Sequence, residues 1–159
     1  MKKLKKFAAL LLAGVMALAL LTACGGGGTG EDAQAEASMM SAINGKRTTA
    51  QKLDNSAERK AVANQNIDLV VKNGFGSFNQ DVKFTMDTDH IKDGKWGFTF
   101  VAKYDYKDTK LNDLINTITG GNGTNINSSH VDNWTDVGVV VKTVNGQTYI
   151  AVSVAVDWS

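Results

Sequence analysis

DVGVVVKTVNGQTYIAVSVAV, residues 136–156, decides the fold. Two runs dense in β-branched residues, Val137–Val141 and Tyr149–Val156, flank Val144-Asn145-Gly146-Gln147. Asn-Gly favours the left-handed conformations of a two-residue type I′ turn, so the stretch reads as an antiparallel hairpin. Both strands are apolar on both faces. That pattern places them in the middle of a sheet with helices on either side.

Working back from the hairpin, DTKLNDLINTIT at 108–119 sets Leu111, Leu114, Ile115 and Ile118 at helical spacing behind Asp108, a candidate N-cap. Gly120-Gly121-Asn122-Gly123-Thr124 stops that helix in a loop running past Asn127-Ser128-Ser129. Further upstream, Val82–Met86 alternates, and Trp96, Phe98, Phe100, Ala102, Tyr104 and Tyr106 fill every second position. Period two over that length means strands. Asp87–His90 and Lys92–Lys95 carry turn chemistry, so a second hairpin joins them. Between Ser38 and Asn73 the apolar residues recur at three or four, interrupted at Asn44-Gly45 and Thr48-Thr49. The spacing predicts helices over 38–47 and 54–72, the second capped by Asp54 or Asn55 and stopped at Asn73-Gly74. Residues 38–159 form one α+β domain in the order helices, hairpin, helix, hairpin.

The N-terminus has another character. Lys2, Lys3, Lys5 and Lys6 precede an apolar run from Phe7 to Leu21, and small residues lead to Cys24, the single cysteine. A charged segment, an apolar segment and a small-residue cleavage site make a secretory signal at 1–23. The apolar run is short for a membrane span, which needs roughly 20 apolar residues. Leu21-Thr22-Ala23-Cys24 resembles the lipobox of bacterial lipoproteins, and the resemblance implies cleavage before Cys24, a diacylglyceryl group on its thiol, further acylation such as palmitate, and display on the outer face of a membrane. At about 0.8 kcal/mol per buried CH₂, two or three chains hold a protein firmly. Cys24 is then an anchor. GGGGTGEDAQAEAS after it reads as a flexible tether over 24–37.

With Cys24 acylated, no intramolecular disulfide or zinc–thiolate site is available. Losing four signal lysines leaves 13 basic residues against 16 acidic ones, a mature net charge of −3. The signs are interspersed rather than gathered into a basic face, which argues against nucleic acid as partner.

Candidate chemistry is sparse. His90 neighbours Asp87, Asp89 and Asp93, and His130 neighbours Asp132. A catalytic or metal site needs the histidines to converge with carboxylates, whereas each lies in a turn or loop, where a solvated histidine is the simpler reading. The aspartates lack the spacing and distal glutamate of a calcium loop. Ser128 and Ser129 lack a nucleophile elbow. The aromatic stripe Trp96 to Tyr106 reads as core under a helix, with a carbohydrate or peptide platform as the other option. Trp134 and Trp158 stand apart from it.

Three local patterns resemble the CAP superfamily, the cysteine-rich secretory, antigen 5 and pathogenesis-related domain called SCP-like in bacteria. Ile43-Asn44 with Arg47, then Leu53, Asp54, Ala57 and Ala61, is similar to the family's opening "IN..R" and "L..D..L...A". Gly121–Asn127 followed by Trp134-Thr135-Asp136-Val137-Gly138-Val139 resembles "GHRANIL…FT.VGVGV", and Tyr149–Val152 its terminal strand. The resemblance implies a three-layer α-β-α sandwich with a central, mainly antiparallel sheet. It also implies a cleft in which many members hold a divalent cation with two histidines and two acids. Here Asn122 takes the motif histidine's place, Gln80 lies where the first histidine is expected, and the "GENI" glutamate has no counterpart. The cleft, with His130 beside it, therefore reads as degenerate, without metal or cofactor. The expectation is a monomeric, non-enzymatic binding domain for a lipid, a cell-wall glycan or a protein. A metal-dependent hydrolase rebuilt around His130, and a cystatin-like or NTF2-like domain with all helices on one sheet face, are the alternatives.

Overall fold

The computed structural model describes residues 30–76, 82–87, 95–119 and 128–157. Along the chain run α1 (Gly30–Lys46), α2 (Ala57–Asn73), β1 (Val82–Asp87), β2 (Lys95–Tyr104), α3 (Asp108–Thr119), a 3-10 helix (Ser128–Asn133), β3 (Trp134–Val144) and β4 (Gln147–Asp157). The fold is mixed α+β, and the strands form one antiparallel sheet in the order β1-β2-β4-β3.

The β3–β4 hairpin turns at Asn145 and Gly146, with φ of 52° and 78°. Both are left-handed, as the Asn-Gly pair predicts. Its placement differs from expectation: β4 is central, but β3 is an edge strand. The edge is sealed by side chains and a loop rather than by a fifth strand. Ser56 donates its amide to the Val137 carbonyl at 2.8 Å. The Asn55 amide group both accepts from Val139 N at 2.8 Å and donates to Val139 O at 3.1 Å. Glu36 accepts from Val141 N at 3.1 Å. An edge satisfied this way can be as apolar as an interior strand.

Period two divides the sheet's side chains between two clusters. Phe98, Phe100, Ala102 and Tyr104 of β2, with Val137, Val139 and Val141 of β3 and Ile150, Val152, Val154 and Val156 of β4, meet Met39 and Ile43 of α1 and Leu111, Leu114, Ile115 and Ile118 of α3. The alternate positions Val101, Val140 and Ala151 meet Ala63, Ile67 and Val70 of α2. Full burial of one such side chain contributes roughly 1.5–3 kcal/mol. The aromatic stripe is mainly core. Phe98, Phe100 and Tyr104 are buried, Phe84 stacks on Phe98, and Trp96 is 44% exposed.

α1 begins at Gly30, so the tether expected over 24–37 is helical from Gly30 and the domain starts before Ser38. Asp32 and Ala35 are buried within it. Asp32 accepts a short hydrogen bond from the Tyr106 hydroxyl. Tyr106 itself sits at φ 57°, a backbone state uncommon outside glycine. α2 is capped one residue later than expected, by Ser56, whose hydroxyl accepts from Arg59 N. It stops at Gly74, φ 74°, as Asn73-Gly74 predicts.

α2 starts over a glycine. A Cβ on Gly138 would lie 2.2 Å from Lys60 N and 2.3 Å from the Arg59 carbonyl carbon, so only glycine lets the first turn settle on β3.

Candidate functional site

α2 lies over β2, β3 and β4 and stops short of β1, leaving a groove. It holds about 190 Å³ and is lined by Asn66, Leu69, Val70, Asn73 and Gly74 of the helix and its stop, with Lys83 and Thr85 of β1. Strand alternation aims Lys83 and Thr85 at the helix, because Phe84 between them packs on the aromatics of the other face. Asn66 is buried and donates its amide to Val62 O at 3.0 Å. Leu69 is 52% exposed at the rim. Two amides, a hydroxyl, an ammonium and an apolar rim can hold a hydroxyl-rich group. The volume lies below the roughly 300–1,000 Å³ of ordinary small-molecule pockets, so the groove fits one segment of a larger ligand. Sequence reasoning did not single out these residues. The alternation of Lys83 and Thr85 was the available signal.

At the far end of α2, Arg59 reaches β1. It is 3% exposed, and its Nη1 lies 3.3 Å from Asp87 Oδ2. Gly97 makes room, since a Cβ there would meet Asp87 Cβ at 3.0 Å and Arg59 Nη1 at 3.2 Å. Asp87, read from sequence beside His90 as part of an acidic turn, is thus the partner of a buried arginine.

A second knot joins the end of α1 to the 3-10 helix. Arg47, 8% exposed, donates from Nη1 to Val131 O at 2.6 Å and Trp134 O at 3.0 Å, and from Nε to Gln51 O at 3.2 Å. Asn44 brackets Leu53 through both its backbone groups, at 2.8 and 2.9 Å. Asp132 accepts from the Thr48 hydroxyl, Thr48 N at 2.9 Å and Thr49 N at 3.3 Å. The Thr48 hydroxyl bond chiefly holds its pKa below the usual carboxylate value. Slight burial opposes it, and the backbone bonds and the Arg47 charge add to it. Asn44 and Arg47 of the "IN..R" pattern thus serve as loop clamps.

His130 lies within the 3-10 helix, one residue before Val131, which is buried. Gln80, Asn122, Cys24, His90, Asp89, Asp93 and Trp158 lie outside the described residues. Among the described residues no three of His, Cys, Asp and Glu gather as a metal site requires, and no helix is long and apolar enough to cross a membrane.

What these features define as a class is a mixed α+β domain with a helix-roofed antiparallel sheet and a small groove whose surface is mainly apolar. No family model, curated protein or solved structure matches the chain.

Proposed function

We propose that this protein is a bacterial lipoprotein, anchored through Cys24 on the outer face of the membrane, whose domain binds an extracellular ligand without catalysis. The observation that carries the reading is the Met1–Cys24 segment: four lysines, an apolar run and Leu-Thr-Ala-Cys. The domain is a three-layer α-β-α sandwich in this proposal. Support comes from the two clusters, which assign α1 and α3 to one set of sheet side chains and α2 to the alternate set. The same division disfavours the cystatin-like or NTF2-like reading. Kinship with the CAP superfamily belongs to the proposal too, supported by the order of elements and by Asn44 and Arg47.

Among the ligand classes a cell-wall glycan suits the groove best, because Asn66, Asn73, Thr85 and Lys83 offer donors and acceptors beside the exposed Leu69. The anchor is tested by metabolic labelling with an alkyne fatty acid. Label should appear on the parent and vanish in Cys24→Ala, and labelling that survives the substitution refutes the anchor. The ligand is tested by co-sedimentation with purified cell-wall sacculi. Lys83→Ala with Thr85→Ala should lower retention about tenfold, as the loss of two hydrogen bonds to a ligand would; equal retention points instead to a protein or lipid ligand.

A further inference from the structure

We infer that the first six residues of α1, 30–35, are a releasable extension of the lipid tether, which unwinds when the domain is drawn away from the membrane while the rest of the fold stays intact; the tether role rests on the Cys24 anchor proposed above. α1 is held in two different ways along its length. From Met39 onward it is fixed by packing, with Met39, Met40 and Ile43 buried in the core. Before Met39 the buried residues are Asp32 and Ala35. Hydrophobic gain follows the apolar area removed from water, so Ala35 contributes a small part of what Met39 or Ile43 does.

The first turn draws instead on polar contacts. Asp32 accepts from the Tyr106 hydroxyl, and Glu31 and Asp32 suit the positive end of the helix dipole, so the turn is formed at rest. Tyr106 lies between β2 and α3 at φ 57°, a state that a residue with a side chain keeps only where its surroundings impose it. Its ring stands edge-on to Tyr104, with centroids 5.3 Å apart, and its hydroxyl lies 3.5 Å from Thr143 Oγ1. When Asp32 leaves, the hydroxyl therefore keeps a partner in Thr143, and the freed carboxylate is hydrated.

Glu36 sets where the unwinding stops. Its carboxylate accepts from Lys60 Nζ at 2.7 Å and from Val141 N at 3.1 Å, tying α1 to α2 and β3 one residue beyond Ala35. Residues 30–35 can thus leave without unsealing the β3 edge. Only six residues, 24–29, separate the anchor from α1. Fully extended they span ~20 Å, and freeing 30–35 doubles the link to ~40 Å, at about 3.3–3.6 Å per residue. The net gain is ~11 Å, because six helical residues already span ~9 Å at about 1.5 Å each.

The first test is native-state hydrogen exchange on the mature chain from Cys24. Amides 34–38, whose helical acceptors are the carbonyls of 30–34, should exchange about a hundredfold faster than amides 40–44 of the same helix. Tyr106→Phe keeps the ring and removes the hydroxyl; it should speed 34–38 about tenfold further and leave 40–44 and α2 unchanged. Equal exchange along α1, or an effect of Tyr106→Phe that spreads to 40–44, overturns the release. The second test pulls the same chain between the Cys24 thiol, its single cysteine, and its C-terminus. A lengthening of ~11 Å should precede global unfolding, at a force that falls in Tyr106→Phe; one unfolding event with no earlier step overturns the release as well. Flotation of the lipidated protein with phospholipid vesicles reports the anchor separately. Protein that does not float overturns the tether role, whatever exchange and pulling show of the segment.

Discussion

The two ends of the domain use positive charge in opposite ways. At the end where α2 begins, Arg47 and Arg59 are buried and committed, one to three backbone carbonyls and the other to Asp87. At the end where α2 finishes, the cations are lysines: Lys72, Lys103 and Lys110 are exposed and, like the half-buried Lys83, have no carboxylate partner among the described residues. Arginine suits burial because its guanidinium fork serves several acceptors at once, whereas lysine stays hydrated on a flexible stem. Both arginines thus serve the structure, whereas the lysines of the other end stay in contact with solvent.

The largest expected effect comes from breaking the arginine end. Asp87→Ala strands the Arg59 charge, and a buried ion deprived of its partner costs about 3–5 kcal/mol. A urea midpoint unchanged from the parent would show that Arg59 finds other acceptors. Gly138→Ala should cost about 3 kcal/mol by lifting the first turn of α2, since the added carbon meets backbone atoms that cannot rotate away. Arg47→Ala leaves the Val131 and Trp134 carbonyls without their donor and should cost about 2 kcal/mol, with accelerated hydrogen exchange at 128–134 as its local signature.

A smaller effect concerns pH. Asp132 is held below its ordinary pKa in the folded state, so its contribution is present above the unfolded value and disappears as the pH falls through the lowered one. Asp132→Asn should flatten the fall in stability below about pH 4, where unfolded aspartates take up protons. An unaltered acid slope would mean that the Thr48 and Thr49 hydrogen bonds do not matter. At the lysine end, Lys103→Gln, Lys107→Gln and Lys110→Gln should each change stability by no more than about 0.5 kcal/mol, as exposed substitutions do. A larger loss would make those lysines structural and erase the contrast.

Much of the fold was legible from periodicity. Asn145-Gly146 marks its hairpin, Asn73-Gly74 ends α2, and Leu111 to Ile118 spells out the buried face of α3. What could not be read arises from side chains that act across long separations. The start of α1 is hidden because Gly30–Ser38 has no large apolar residue. Its order depends instead on Ala35 in the core and on Asp32 meeting Tyr106, 74 positions away. β3 reads as an interior strand because Val139 and Val140 are both buried. Nothing local shows that Asn55 and Glu36 take the place of a neighbouring strand. The groove was invisible for a related reason: Lys83 and Thr85 follow ordinary alternation, and only the reach of α2 across the sheet leaves a space before them.

The sealing of β3 has a consequence for a protein crowded on a surface. A sheet with two unpaired edges can add copies without limit, each new subunit offering a fresh edge to the next. With Asn55, Ser56 and Glu36 occupying the β3 side, β1 alone of the described strands remains for such pairing. The same few hydrogen bonds that permit an apolar edge strand keep its Val137–Val141 stretch from pairing with a strand of another copy.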